Sequence, residues 1–219
     1  MTAALVIGAS GGIGSALVAE LRKRGYDATP LSRRDDGFDI TDPASVDAAL
    51  GGLGPFEIVM LATGKLDGAG HGPEKSLKAL TAEAMRDQFA TNALGPALVL
   101  KHLPRLLPRD GDGFCGVLSA RVGSIGDNNL GGWYAYRAAK AALNQMVHGA
   151  AIELGRTHRH ARLLALHPGT VATPFTAGYG GRDKLEPPDA ARHLLDVLTS
   201  KSPSQSGSFW DWKGNEVPW

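Results

Sequence analysis

Ala3-Ala4-Leu5-Val6-Ile7-Gly8-Ala9-Ser10-Gly11-Gly12-Ile13-Gly14 is the stretch that decides the fold. A short apolar run meets a glycine, glycines recur through the following residues, and Leu17, Val18 and Leu21 then follow at helical spacing until Gly25. This reads as a strand, a tight loop and a helix. Backbone amides in such a loop, together with the positive end of the helix, can hold a pyrophosphate, and bulky side chains there would block its approach. Gly8 and Gly12 are four positions apart, not two as in G-x-G-x-x-G, so the common dinucleotide fingerprint is not the pattern here.

The alternation continues outward from that stretch. Residues 26–31 read as a second strand and 38–40 as a short third one. Thr41-Asp42-Pro43 supplies capping oxygens and a proline suited to a first helical turn, with Val46, Ala49 and Leu50 on one face behind it. Residues 56–62 form a buried-type strand, and 81–107 read as helical, with Met85, Phe89, Leu94, Leu98 and Leu103 as core contacts. Strand 114–118, helix 133–154, strand 163–166, helix 188–198 and strand 208–210 complete the series. Strands separated by helices of this length need parallel crossovers, and parallel strands covered on both faces are continuously apolar, as these are. The expectation is a doubly wound α/β (Rossmann-type) sheet of about seven strands. The glycine-containing segment 174–187, with Gly178, Gly180 and Gly181, has little periodicity and reads as a mobile loop over the sheet.

A chain of 219 residues fits one domain, here spanning 1–219. Lys plus Arg number 23 against 22 Asp plus Glu, so no charge footprint for nucleic acid or an anionic membrane stands out. The longest apolar runs, such as 58–62, fall far short of the roughly 20 residues that span a bilayer. A single Cys115 excludes an internal disulfide and reads as a small buried hydrophobe, and the first residues lack a signal-peptide pattern. These features point to a cytoplasmic protein. The seven histidines show no spacing that would build a metal site, and none is expected. Trp210, Trp212 and Trp219 crowd the last residues, where they would pack on the sheet edge or join a subunit interface.

Tyr136-Arg137-Ala138-Ala139-Lys140 places a phenol and an ammonium one turn apart on one helix face. A nearby positive charge stabilises phenolate and would draw the tyrosine pKa down from about 10 toward proton-transfer chemistry. A Y-x-x-x-K spacing alone, like a glycine loop alone, is common in proteins that do no such chemistry.

Taken together in their order along nearly the whole chain, these motifs resemble the short-chain dehydrogenase/reductase family. Gly8, Gly12 and Gly14 match its T-G-x-x-x-G-x-G loop, with Ile7 in place of Thr, and Ser10, Gly11 and Ile13 lie between them. Asp39, followed by Ile40, matches the acidic residue that contacts adenine, and Asn92 the helix asparagine of the catalytic tetrad. Pro168-Gly169-Thr170-Val171-Ala172-Thr173 matches the P-G-x-V-x-T turn, so Pro168, Gly169, Val171 and Thr173 would hold the nicotinamide carboxamide. Arg121-Val122-Gly123-Ser124-Ile125 and Gly131-Gly132-Trp133-Tyr134 resemble the C-factor and Sniffer-like carbonyl-reductase branch. Two departures stand out. The family's N-N-A-G is replaced by Leu61-Ala62-Thr63-Gly64, so the usual asparagine contacts are either lost or supplied by backbone groups, with Ala62, Thr63 and Gly64 as the cofactor-binding candidates there. Ala120 takes the usual serine position in Ser119-Ala120-Arg121-Val122-Gly123, which leaves Ser119 as first choice and Ser124 as second.

The resemblance implies hydride transfer between a nicotinamide cofactor and a small carbonyl or alcohol. In it Tyr136 is the general acid/base, Lys140 tunes its pKa and holds ribose hydroxyls, Ser119 donates to the developing oxyanion, and Asn92 supports a water. Ser32 and Arg33 follow the second strand where the adenosine ribose passes, and a guanidinium there suits a 2′-phosphate, which favours NADP(H) over NAD(H). The resemblance also implies a homodimer or homotetramer through the long helices. The rival expectation is a cofactor-binding regulatory protein with little turnover.

Overall fold

The computed structural model describes residues 2–67, 70–178 and 183–219. Its sheet has six strands, all parallel, in the order β2-β1-β3-β4-β5-β6. β1 (Ala3–Ile7) leads through the glycine loop into α1 (Gly12–Lys23), and β2 (Asp27–Leu31) follows at the sheet edge. A single turn, α2 (Arg33–Asp36), precedes α3 (Pro43–Leu50), which Asp42 caps by accepting from the Ala44 N–H at 3.0 Å. β3 (Ile58–Leu61) then pairs with β1 on the side opposite β2. The sheet therefore reverses its winding at β1, and a crevice opens there beyond the strand ends.

Residues 38–40 are not a strand, which is why six strands stand where about seven were expected. The Phe38 N–H donates back to Ser32 O and the Asp39 N–H to Ser45 Oγ, so this backbone is bonded to α2 and α3 and not to a sheet neighbour. Phe38 and Ile40 are nevertheless buried, because α3 packs them against the sheet.

The expected helix 81–107 is broken into pieces. α4 (Ala82–Phe89), capped by Thr81, runs into one π-helical turn at Ala90–Leu94, then α5 (Gly95–Leu100), then α6 (Leu103–Leu106). Pro104 has no N–H to donate within a longer helix and sits instead in the first turn of α6. The π turn adds a residue and rotates α5 and α6 relative to α4, so Leu94 is 51% exposed and the core contacts are Val99, Leu100, Leu103 and Leu106. Met85 and Phe89 are half-buried.

β4 (Gly113–Leu118), α7 (Tyr134–Leu154), β5 (Ala161–His167), α8 (Pro187–Ser200) and β6 (Phe209–Asp211) complete the fold close to the expected bounds. Side chains alternate across the strands into two cores. Leu5, Ile7, Val59, Leu61, Cys115, Val117, Leu163 and Ala165 face α3, α5, α6 and α7. Val6, Ile58, Met60, Leu164 and Leu166 face α1 and α8. Trp210 and Trp219 pack at the β6 edge, Trp219 stacking on Phe209 with centroids 5.8 Å apart. Gly180 and Gly181 of the expected loop lie outside the described residues. No helix among the described residues is long and apolar enough to cross a membrane.

Candidate active site

Four strands end at one rim of the sheet, and the loops that follow them carry Gly8, Ala62–Gly64, Ser119 and Pro168. Gly8 has φ +88°, and a Cβ there would lie 2.8 Å from the Ala62 carbonyl carbon. A Cβ on Gly14 would lie 2.1 Å from Gly8 O, and one on Gly12 would lie 2.5 Å from Thr173 Cγ2. The loop thus closes on itself and touches the Pro168–Thr173 turn, so two motifs far apart in the chain meet. α1 begins after Gly11 with no side-chain cap, which leaves its first amides to bind an anion. Beside Gly8, Thr63 Oγ1 is buried without a hydrogen-bond partner among the described residues. An uncapped helix start, a cradle that tolerates no Cβ and an orphaned hydroxyl fit a dinucleotide along this crevice.

The turn after β2 sorts its charges. Ser32, 2% exposed, accepts from the Asp35 N–H at 3.1 Å and donates to Asp35 Oδ2 at 3.0 Å, while its own N–H donates to Asp36 Oδ2 at 2.8 Å. Arg34 pairs with Asp35 at 2.9 Å, and that bond first, then Ser32, holds the Asp35 carboxyl below its usual range. Both acids are turned toward Ser32, and Arg33 is left exposed with no ion pair among the described residues. Ser32 has committed its proton to Asp35, so Arg33 is the donor this turn offers to a ligand. Asp39 Oδ1 accepts from the Thr41 hydroxyl and N–H at 2.7 and 2.9 Å, which holds its carboxyl low, and Ile40 packs against Gly95.

α7 brings Tyr136 and Lys140 to the same crevice, buried to 5% and 3% exposure. Lys140 Nζ lies 6.0 Å from the Tyr136 ring centroid and donates to Leu118 O at 3.0 Å, at the end of β4. Burial alone pushes Lys140 down to about 7, and burial also pushes Tyr136 above the ordinary phenol range. The expected lowering of Tyr136 by its ammonium neighbour is therefore not what this structure shows. Desolvation penalises both charged forms, and at this depth it outweighs attraction across the pair. The Trp133 and Phe175 rings flank Tyr136, with centroids 6.3 and 6.4 Å away.

Gly64 lies between Asn92 and Lys140, where a Cβ would come within 3.1 Å of Asn92 Oδ1 and 3.6 Å of Lys140 Nζ. Asn92, fully buried in the π turn, accepts from the Lys65 N–H at 3.1 Å and donates to Lys65 O at 2.8 Å and to Gln88 Oε1. Gln88 Nε2 in turn donates to Leu66 O at 2.7 Å. The π turn, a form frequent at functional sites, thus aims Asn92 at the loop after β3. Gln88 had escaped notice in the sequence, although its place one turn before Asn92 on the same face was the available signal.

The two candidate serines have different partners. Ser119 Oγ donates to Asn144 Oδ1 at 2.7 Å, one turn beyond Lys140, and Asn144 Nδ2 donates to Gly123 O at 3.3 Å. Ser124 Oγ donates to Pro218 O and accepts from the Asp127 N–H at 3.0 Å, tying the C-terminal tail to the loop after β4. At the far end, Gly169 has φ +80° and no room for a Cβ, which would lie 2.8 Å from the Trp212 ring. Val171, 2% exposed, is fixed by a parallel bridge to Leu185.

A parallel sheet reversed at β1, a glycine loop that admits a dinucleotide and a buried Tyr–Lys pair define a nucleotide-dependent α/β oxidoreductase. A family profile described as enoyl-(acyl carrier protein) reductase matches residues 37–204. The chain belongs to the short-chain dehydrogenase/reductase family, whose members are NAD(P)-dependent. It is 30% identical over its full length, and that of its relative, to 1-hydroxy-2-glutathionyl-2-methyl-3-butene dehydrogenase of Rhodococcus sp. strain AD45. It is 39% identical over 136 residues to the C-signal protein of Myxococcus xanthus, covering 62% of this chain and 78% of that one. Among solved structures, a putative short-chain dehydrogenase/reductase from Burkholderia multivorans with bound NADP superposes with a TM-score of 0.84 at 29% identity. That superposition covers 100% of this chain and 99% of the other.

Proposed function

We propose that this protein catalyses reversible reduction of a small carbonyl compound with NADPH. The observation that carries the reading is the buried Tyr136–Lys140 pair at the rim, next to Gly64 and Asn92 and flanked by Trp133 and Phe175. The nicotinamide, when bound, supplies or accepts the hydride. Tyr136 Oη gives its proton to the carbonyl oxygen, or takes one back from the alcohol. Lys140 Nζ holds ribose hydroxyls and, once charged against them, lowers the barrier to proton loss from Tyr136. Ser119 steadies the substrate oxygen after its hydroxyl rotates off Asn144, and Asn92 supports the water that returns protons to Lys140. Gly8 to Gly14, Thr63 and the Pro168–Thr173 turn line the dinucleotide. Arg33, unpaired beside two committed carboxylates, takes the 2′-phosphate. The NADP-bound relative of similar sequence supports that preference, and the Rhodococcus relative, named for oxidation of an alcohol, supports the reaction class. Exposed Leu94 in the π turn and exposed Met146 and Ile152 on α7 support a homodimer or homotetramer, to be read from the sedimentation mass.

A second reading, a cofactor-binding regulator with little turnover, is favoured by one observation: the Ser119 hydroxyl is engaged with Asn144, and Ala120 stands beside it. A panel of aldehydes, ketones and quinones, offered with NADPH and with NADH and followed by loss of reduced nicotinamide, decides between them. Oxidation of NADPH by members of the panel supports the first reading. NADPH binding without oxidation by any of them supports the second.

A further inference from the structure

α7 starts without a cap of its own. Its N-cap is Trp133, which has no side-chain oxygen to accept from the first-turn amides. The chain enters it through Gly131, Gly132 and Trp133, with φ of +64°, +67° and +54°. For the glycines that left-handed conformation is free of penalty, but for tryptophan it is disfavoured and must be held from outside.

Glu74 holds it. This residue, nine-tenths buried, lies in the loop between β3 and α4, far from α7 in sequence. Its carbonyl accepts from the Trp133 N–H, and its carboxylate Oε2 accepts from the Ala135 N–H at 3.2 Å. One residue thus satisfies the amides on both sides of Tyr134, just before Tyr136. From the other side, Arg137 Nε donates to Gly132 O at 3.0 Å. The residue so gripped carries the ring that stands edge-on to Tyr136, with centroids 6.3 Å apart.

We propose that Glu74 is the positioning residue of this site: it caps the tyrosine-bearing helix from a distant loop and so fixes Trp133 as a wall beside the Tyr136 ring. It touches neither substrate nor cofactor, and its effect on turnover rests on the reading of the site given above. Displacing a reacting group by about an ångström can cost on the order of a hundredfold in rate, so a loosened wall is enough to be seen.

The test compares Glu74→Ala, Glu74→Gln and Glu74→Asp with the wild-type protein. Three quantities are read: kcat and KM for the best carbonyl of the panel with NADPH, NADPH affinity by fluorescence titration, and the fluorine NMR resonance of Trp133 in 5-fluorotryptophan-labelled protein, assigned by its absence in Trp133→Phe. Glu74→Ala is expected to lower kcat/KM by about tenfold or more, to leave NADPH affinity within about twofold, and to move the Trp133 resonance. Glu74→Gln keeps an acceptor oxygen at the same reach and is expected to restore all three. Where the alanine variant does not fold, Glu74→Asp, which keeps the charge but withdraws it from Ala135, decides in its place. Wild-type turnover with an unmoved Trp133 resonance overturns the proposal. So does loss of NADPH affinity in step with kcat, or a glutamine variant as damaged as the alanine one. If the wild-type protein reduces no carbonyl, the functional reading fails by itself, and the Trp133 resonance with the NADPH titration still decides the role of Glu74.

Discussion

Replacing Lys140 by methionine in the ligand-free protein should stabilise it, and by an amount that depends on pH. Lys140 Nζ is buried, its one hydrogen bond among the described residues is to Leu118 O, and burial lowers its pKa from 10.5 to about 7. In the unfolded chain the amine regains its ordinary value. Between about pH 7 and 10.5 the unfolded state therefore binds more protons than the folded one, and wild-type stability rises with pH across that window. Below it the full penalty of keeping the amine buried is felt. At about 1.4 kcal/mol per pH unit the shift corresponds to roughly 5 kcal/mol, an upper bound. Methionine has nearly the same length and no charge, but it leaves Leu118 O without its donor, which costs about 1–2 kcal/mol. Lys140→Met should then gain about 2–4 kcal/mol near pH 6, and the gain should vanish near pH 10. Urea unfolding of both proteins at several pH values measures it. A difference that stays constant from about pH 6 to pH 10 would show that Lys140 is not held with a depressed pKa, and that its burial is not the strained arrangement expected of a functional lysine.

Arg33→Ala should weaken NADPH binding by about tenfold or more while changing NADH binding little, because the lost charge-assisted contact exists only with the 2′-phosphate. Parallel titrations with both cofactors check this, and equal losses would reject Arg33 as the phosphate contact. Gly14→Ala puts a methyl group 2.1 Å from Gly8 O, so the loop must move, and NADPH binding should be lost together with about 2–3 kcal/mol of stability. Retained affinity in that variant would mean that the first turn of α1 does not form the cradle.

Most of this architecture could be read in advance because parallel strands buried on both faces, such as Ile58–Leu61 and Gly113–Leu118, leave continuous apolar runs, and glycines mark the turns between them. Residues 38–40 look the same for a different reason: Phe38 and Ile40 fill a core while their backbone is bonded to Ser32 and Ser45. The π turn at Ala90–Leu94 has no mark in residue type, so the exposure of Leu94 could not be foreseen. At the site, the positions of Tyr136, Lys140, Asn92 and the glycines were legible because each belongs to a spaced motif. Asn144 and Glu74 act through hydrogen bonds that cross long stretches of chain, and nothing in their neighbours distinguishes them from surface polar residues, whereas Gln88 is marked only by its place one turn before Asn92. The direction of the Tyr136 shift also needed the structure. Spacing shows that a phenol and an amine share a face, but only depth tells whether attraction or desolvation governs them.

In the proposed reaction Tyr136 Oη is the proton donor to the carbonyl oxygen. Tyr136→Phe removes that one oxygen and keeps the ring between Trp133 and Phe175, so its kinetics isolate the proton-donating role. Turnover of the best carbonyl with NADPH should fall by at least about a hundredfold, as loss of a general acid requires, while NADPH affinity by fluorescence titration stays close to that of the wild type. Turnover within a few fold of the wild type, with the cofactor still bound, would show that Tyr136 does not donate the proton.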